Sequence, residues 1–274
     1  MVQQDYPRFD IMAVDDGSTD ETRNIITSFP RVKLIHQTNQ GAAAARNHAF
    51  AASKGEILLL LDSDAKVFPG WIQEHVALQK KGHRVVGGSV IPWNDTFWGF
   101  CDYYSTWYEY YPQKPFDRNR WQISSTNLSL HRSVIERAGV FDIRLKRTCE
   151  DAEYCNRLQK MGIKIAFSPH PTMAHHDRET LGGFLLHHHT YGYMAPFFRT
   201  RESGARYGWL VPQNEWKALA MIPLLAILHT GFVMRHWLPR RPESILFLPF
   251  IFLSKVAHAI GVYDGVKAKR REKK

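Results

Sequence analysis

"EILLLLDSDAKV" occupies Glu56–Val67. An apolar run this short, set off by a charge before and a turn after, is the pattern of a strand buried on both faces. Its neighbours support that reading. Phe9–Val14 and Arg31–His36 read as strands. Asp20–Phe29 reads as a helix capped by Ser18 or Thr19, and "NQGAAAARNHAFAAS" (Asn39–Ser53) as a turn and an Ala-rich helix. Pro69–Lys81 is a further helix and Val85–Ile91 a further strand. Strands alternating with helices predict an α/β domain, a mostly parallel sheet flanked by helices.

The remainder of the chain changes character. Thr96–Trp121 is dense in aromatic residues, which reads as packing surface ahead of ligand stacking. Ile123–Arg132 reads as a strand, Cys149–Gly162 as a helix ended by glycine, and Thr180–Thr200 as a helix. Ala218–Met234 is apolar apart from His229, and Ile245–Tyr263 apart from Lys255 and His258. Each approaches the roughly 20 residues that cross a bilayer. The basic "RHWLPRRPE" between them conflicts with the positive-inside tendency, so a hairpin, a pair of interfacial helices and a buried pair all stay open.

The 274 residues carry a formal charge of +10, much of it in the tail "VKAKRREKK" (Val266–Lys274). Beside apolar helices such a tail suits an anionic membrane surface, and no nucleic-acid motif accompanies it. The three cysteines form no disulfide framework, which suggests a reducing compartment. The sequons at Asn94 and Asn127 read as chance matches.

Ligands of open α/β sheets bind at the carboxyl ends of strands. Asp62 and Asp64 follow the buried strand, and two carboxylates there suit Mg²⁺ or Mn²⁺. Asp15 and Asp16 also end a strand. They fit an Asx turn, or an acceptor for a base or ribose hydroxyl. Glu150 and Asp151 open a helix, where carboxylates complement the helix dipole and where a general base is well placed. His175 and His176 follow a strand and could supply a metal ligand. His187, His188 and His189 are consecutive; on a helix they point in different directions, so no clustered metal site is expected of them.

Taken in order, "VDDGSTDET", "NQGAAAARNHAFAASKGEILLLLDSDAKVFPGWI", "STNLSLHRSVIERAGVFD", "CEDAEYCNRLQKMGIKIAFSP" and "AHHDRETLGGF" resemble the family 2 glycosyltransferases, inverting enzymes of GT-A fold. The resemblance covers roughly Gln4 to Tyr193. It implies a metal-dependent transfer of sugar from a UDP- or GDP-linked donor to a saccharide or lipid-linked acceptor, in cell-surface polysaccharide or glycolipid synthesis. It implies donor contacts from Asp15, Asp16, Arg46, Asn47, Asp62 and Asn127, a metal at Asp64 and His175 (His176 as the fallback), and Asp151 as catalytic base. Residues 1–200 would form the catalytic domain and 201–274 the membrane-associated part, on the cytoplasmic face. The family's Gln-x-x-Arg-Trp motif of processive synthases is absent; "LLHHHTYGY" (Leu185–Tyr193) stands there, which implies transfer of one or a few sugars. Family members also carry an earlier strand followed by a helix, that strand being expected inside the sheet between the strands at Phe9–Val14 and Glu56–Leu61. This chain starts near the end of that helix, so an incomplete N-terminus is expected, and with it a second reading, a non-catalytic binding or scaffold protein. A phosphatase of the haloacid-dehalogenase type also uses Asp-x-Asp, but requires Thr where this chain has Lys66.

Overall fold

The computed structural model describes residues 1, 3–145, 148–199 and 208–272. Its first elements are β1 (Ile11–Asp16), α1 (Thr22–Thr27), β2 (Val32–Gln37) and α2 (Ala42–Ala52). β1 and β2 pair in parallel, with Asp16 opposite Gln37. The expected Ser18 and Thr19 do not cap α1. Glu21 holds the N-cap position, and the Thr22 amide donates to Asp20 Oδ1 at 3.0 Å. The Ser18 amide turns back to Asp15 Oδ1 at 2.9 Å.

Next come β3 (Ile57–Leu61), β4 (Ala65–Val67), α3 (Trp71–Lys80), β5 (Val85–Pro92) and α4 (Phe97–Thr106). β6 (Asn127–His131), α5 (Arg132–Ala138), α6 (Glu150–Lys160), β7 (Ala166–His175) and α7 (Leu181–Phe198) follow. The strands after β2 form one five-stranded sheet in the order β3-β6-β5-β7-β4. The α/β class of the sequence reading holds, and β6 refines it. β6 runs antiparallel to both β3 and β5, so the sheet is not all parallel. β3 is covered on both faces: Leu58 and Leu60 are buried on one, while Ile57, Leu59 and Leu61 pack with Trp71, Ile72 and Val76 of α3. That double coverage explains the unbroken apolar run. β1–β2 is a separate two-stranded sheet.

Two compact units emerge, Met1–Ser89 with Pro115–Met173, and Val90–Lys114 with Ala174–Lys274. This grouping differs from a division at residue 200, and that expected boundary lies outside the described residues. In the second unit the aromatic segment is core, as expected. Tyr103, Tyr104, Trp107 and Tyr111 are buried, and Trp237 Nε1 donates to the Tyr104 carbonyl at 2.8 Å. The unit ends in α8 (Glu215–Trp237) and α9 (Leu248–Glu272). α9 lies against α7 through glycines: a Cβ on Gly192 would come 1.9 Å from the His258 carbonyl oxygen, and one on Gly261 would come 2.1 Å from that of His189. Glu215–Trp237 and Pro242–Glu272 are long and apolar enough to cross a membrane, and only 28% and 33% of their most apolar windows are buried.

Candidate active site

Strand register builds the centre of the first unit. Leu61 of β3 pairs with Asn127 of β6 in antiparallel fashion. The residue after β3 therefore meets the residue before β6, and the Thr126 hydroxyl donates to Asp62 Oδ2 at 2.9 Å. The other Asp62 oxygen accepts from Arg46 Nη2 of α2 at 2.7 Å. The Arg46 fork reaches Glu150 Oε1 with its second nitrogen. Arg46 is thus a largely buried cation between two carboxylates. Burial disfavours its charge, but Asp62 and Glu150 outweigh that and push its pKa further up.

Asp151 stands beside this group at the start of α6. The Ser125 amide, in the lead-in to β6, donates to Asp151 Oδ2 at 3.3 Å, and the Ala152 amide to Oδ1 at 2.7 Å. Burial first, and then the neighbouring Glu150 charge, push the Asp151 carboxyl up to about 7, against the pull of Arg46 and the two amides. The helix is entered through Cys149, the one non-glycine residue at positive φ (75°) among the described residues. Such a conformation is costly and concentrates at functional sites. It turns the chain so that Glu150 and Asp151 both open the helix.

Asp62-Ser63-Asp64 is the turn between β3 and β4, closed by the Ala65 amide on the Asp62 carbonyl at 3.2 Å. Asp64 is partly exposed. Asp16 sits across from Gln37 and accepts from its side chain at 2.7 Å, and from the amides of Gln40 and Gly41 at 2.8 Å each. It thereby caps the start of α2, the helix that carries Arg46. The Asp15 carboxylate is covered. It takes the Ser18 amide and Arg23 Nε, and faces His36 Nδ1. Ser18 above all, then Arg23 and His36, hold its pKa well below the usual carboxylate range.

Two expected donor contacts have other work. The Asn47 amide pairs reciprocally with the Phe141 backbone, giving and taking at 2.9 Å, and so fixes the loop ahead of α6. Asn127 lies in the core, and its placement at the sugar is corrected here. Its Nδ2 donates to the carbonyls of Ser89 and Pro171 at 2.9 and 2.8 Å. Its Oδ1 faces Trp71 Nε1 and His75 Nε2 at 2.9 and 3.0 Å. An Asn amide has two donors and two lone pairs, so no position is left for a ligand. Asn127→Ala is expected to cost about 2 kcal/mol or more of stability, by leaving buried partners unpaired. A thermal melt checks the loss, and donor affinity of the folded fraction is expected to stay unchanged.

His175, the last residue of β7, belongs to the second unit. It is buried, and its Nδ1 lies 2.9 Å from Asp177 Oδ1. His176 is half-exposed and lies 3.7 Å from Glu179. The expectation for the consecutive histidines is also corrected. His187 and His188 both converge on Asp102 of α4, and only His189 diverges, to Asp264 at 2.9 Å. Neighbouring helical side chains diverge by ~100°, yet a carboxylate standing between their directions is within reach of both rings.

Glu150 as partner of Arg46, and Thr126 and Ser125 as supports, were missed by sequence reasoning. The pairing of β3 with β6 that brings them in has no local signature. The one available signal was Arg46, a charged residue on an otherwise Ala-rich helix.

The family profile described as "Glycosyl transferase family 2" matches residues 1–140. Among curated proteins, the glycosyltransferase AglE of Haloferax volcanii is 26% identical over 68% of this chain and 62% of its own length. The glycosyltransferase GlyG of Streptococcus pneumoniae is 34% identical over 38% of this chain and 36% of its own length. The chain thus spans less than two thirds of these relatives. Among solved structures, the mannosyltransferase PcManGT of Pyrobaculum calidifontis, in complex with GDP-Man and Mn²⁺, superposes with a TM-score of 0.57 at 19% identity. That match covers 94% of this chain and 79% of the other. S. aureus TarS in complex with UDP-GlcNAc gives 0.53 at 15% identity, covering 98% of this chain and 85% of the other. These likenesses establish the GT-A fold. With its profile matched over more than half its length, the chain belongs to glycosyl transferase family 2.

Proposed function

We propose that the first unit catalyses inverting transfer of a sugar from a nucleotide-sugar donor to an acceptor hydroxyl, one or a few sugars at a time. The observation that carries this is the geometry at the carboxyl end of β3, where Asp151, a raised carboxylate, stands beside the Asp62–Arg46–Glu150 group. A base of this kind, poised near neutrality, can take the proton of an attacking hydroxyl. The acceptor oxygen then attacks the anomeric carbon, the bond to the nucleoside diphosphate breaks, and the configuration inverts. Asp16 and the loop it caps form the nucleotide rim, with Asp15 supporting the turn. Arg46 holds Asp62 rigid at the donor.

The donor set fits a hard divalent cation. Asp62 and Asp64, two carboxylates one residue apart, stand in the turn between β3 and β4, with Asp64 partly exposed. Asp64 would hold Mg²⁺ or Mn²⁺ together with water and diphosphate oxygens, and its chemistry there is to neutralise the leaving group. His175, in the second unit, has its imidazole oriented by Asp177, the kind of contact that suits a ligating ring. PcManGT, solved with GDP-Man and Mn²⁺, and TarS, solved with UDP-GlcNAc, support both UDP- and GDP-linked donors. An undecaprenyl-phosphate 4-deoxy-4-formamido-L-arabinose transferase, 28% identical over 63% of this chain, supports a lipid-linked acceptor. Exposed Trp216 and Leu246, 70% and 72% accessible, support seating of α8 and the Pro242–Phe247 turn ahead of α9 in the cytoplasmic face of a membrane.

The test is a panel of UDP- and GDP-sugars, incubated with the full chain in Mn²⁺ or Mg²⁺ and assayed for hydrolysis or transfer. Turnover that Asp64→Ala abolishes is expected. Turnover indifferent to both Asp64→Ala and chelation overturns the site assignment. A pH profile adds a second check. Asp151 must be ionised to act, so kcat/KM is expected to rise with pH through a limb near neutrality. Glu150→Gln removes a charge that raises Asp151, so the limb is expected to move to lower pH. An unmoved limb would assign the titration to another group.

A further inference from the structure

We propose that Asp102, His187 and His188 form a binding site for a divalent transition-metal cation in the second unit, separate from the glycosyl-transfer chemistry. One ligand atom from each residue lies within 4.8 Å of the others. His187 Nδ1 is 2.9 Å from both Asp102 oxygens, and His188 Nε2 is 3.1 Å from Oδ1. Ligand atoms around a four-coordinate Zn²⁺ at bond lengths of about 2.0–2.1 Å are separated by roughly 3.3 Å. The observed spacing is therefore close to what an ion would set.

A purely structural carboxylate–imidazole clamp explains only part of this geometry. His187 faces Asp102 as a hydrogen-bond donor would. His188 does not: its ring is almost fully buried, and its Nε2 is within reach of Asp102 but makes no hydrogen bond. A buried ring nitrogen 3.1 Å from a carboxylate oxygen, but out of hydrogen-bond geometry, is costly unless a shared cation joins the two. A cation satisfies both atoms together. The surroundings also match a ligating carboxylate. Thr106 Oγ1 donates to Asp102 Oδ1 and the Arg178 amide to Oδ2, each at 3.2 Å, so Asp102 is held in place from two sides. The Lys255 ammonium is turned to the Ser105 carbonyl at 2.7 Å. Two imidazoles with one carboxylate favour Zn²⁺ and its first-row neighbours over Mg²⁺ or Ca²⁺. Three protein ligands leave a position open for water.

The full chain, purified in detergent and stripped by a chelator, would be titrated with Zn²⁺ calorimetrically and with Co²⁺ by visible absorption. Saturable binding and the intense bands of four-coordinate Co²⁺ are expected. His188→Gln keeps the Asp102–His187 contact, and is expected to weaken Zn²⁺ by on the order of 100-fold or more and to remove the Co²⁺ bands. Asp102→Asn is expected to do the same; should it not fold, His187→Gln replaces it, with equal melting temperature as the criterion for a valid comparison. Asp64→Ala, which alters only the proposed donor metal, is expected to keep the bands. Absence of saturable binding in the wild-type chain overturns the proposal. So do Co²⁺ bands that persist in folded His188→Gln.

Discussion

Asp151→Asn is expected to reduce sugar transfer by about 10³-fold while leaving donor binding within a few-fold of wild type. The substitution keeps shape, and its one carbonyl oxygen can still accept from the Ala152 amide at the shorter contact, while the longer Ser125 contact is lost because an amide nitrogen does not accept. It removes the one property that the reaction needs, a site for the acceptor's proton. Burial and Glu150 raise the affinity of that site for a proton toward the operating pH. The same raising has a thermodynamic side. The fold binds the Asp151 proton more tightly than the unfolded chain does, so this group's contribution is fully present at low pH. It is lost as pH rises through the raised folded value. Asp151→Asn is therefore also expected to flatten the decline of stability between the ordinary carboxylate value near 4 and the folded value of about 7. Turnover measured at saturating acceptor, with donor affinity by calorimetry, separates the two effects. A kcat within about tenfold of wild type would remove Asp151 from the role of base.

Arg46→Met is expected to be the most destabilising single change near the site, by about 3–5 kcal/mol. Arg46 is 13% exposed in its side chain and Glu150 8%. Removing the cation leaves the Glu150 carboxylate buried without it, beside Asp62, whose side chain is 31% exposed. Arg46→Lys is expected to recover only part, because an ammonium cannot span two carboxylates as the guanidinium fork does. Removing Arg46 also removes a charge that lowers Asp151, so the acid limb of the pH profile is expected to move upward, opposite to Glu150→Gln. Thermal and urea unfolding of the three chains measure the cost. A loss below about 1 kcal/mol would mean that the pairs behave as surface salt bridges.

The α/β class was legible because its signals are local. A continuous apolar run of five residues, Gly41 at the start of an Ala-rich helix and Gly162 at the end of α6 can each be read within one window. The antiparallel course of β6 was not, since nothing within Asn127–His131 records the direction of its neighbours. The site shows the same division. Asp16, Asp62, Asp64 and Asp151 stand out because they follow strands or open a helix. Asn127 misled because a sequence shows a polar side chain without showing which partners surround it; here four buried groups do. His187 and His188 misled for the opposite reason. Helical geometry correctly sets their directions apart, but Asp102 lies 85 positions away from His187 in the chain.

Asn127 also acts as a lock on alignment. A strand that slips by one residue exchanges its two faces. For β6, such a slip would pull the Asn127 amide out of its four-partner socket and carry Thr126 away from Asp62. Ser125 would leave Asp151 in the same movement. The distance between Asp62 and Asp151 is thus gauged from inside the core. A substitution there would mimic a catalytic defect in an activity screen, and only a measurement of folding would show that the chemistry had been left intact.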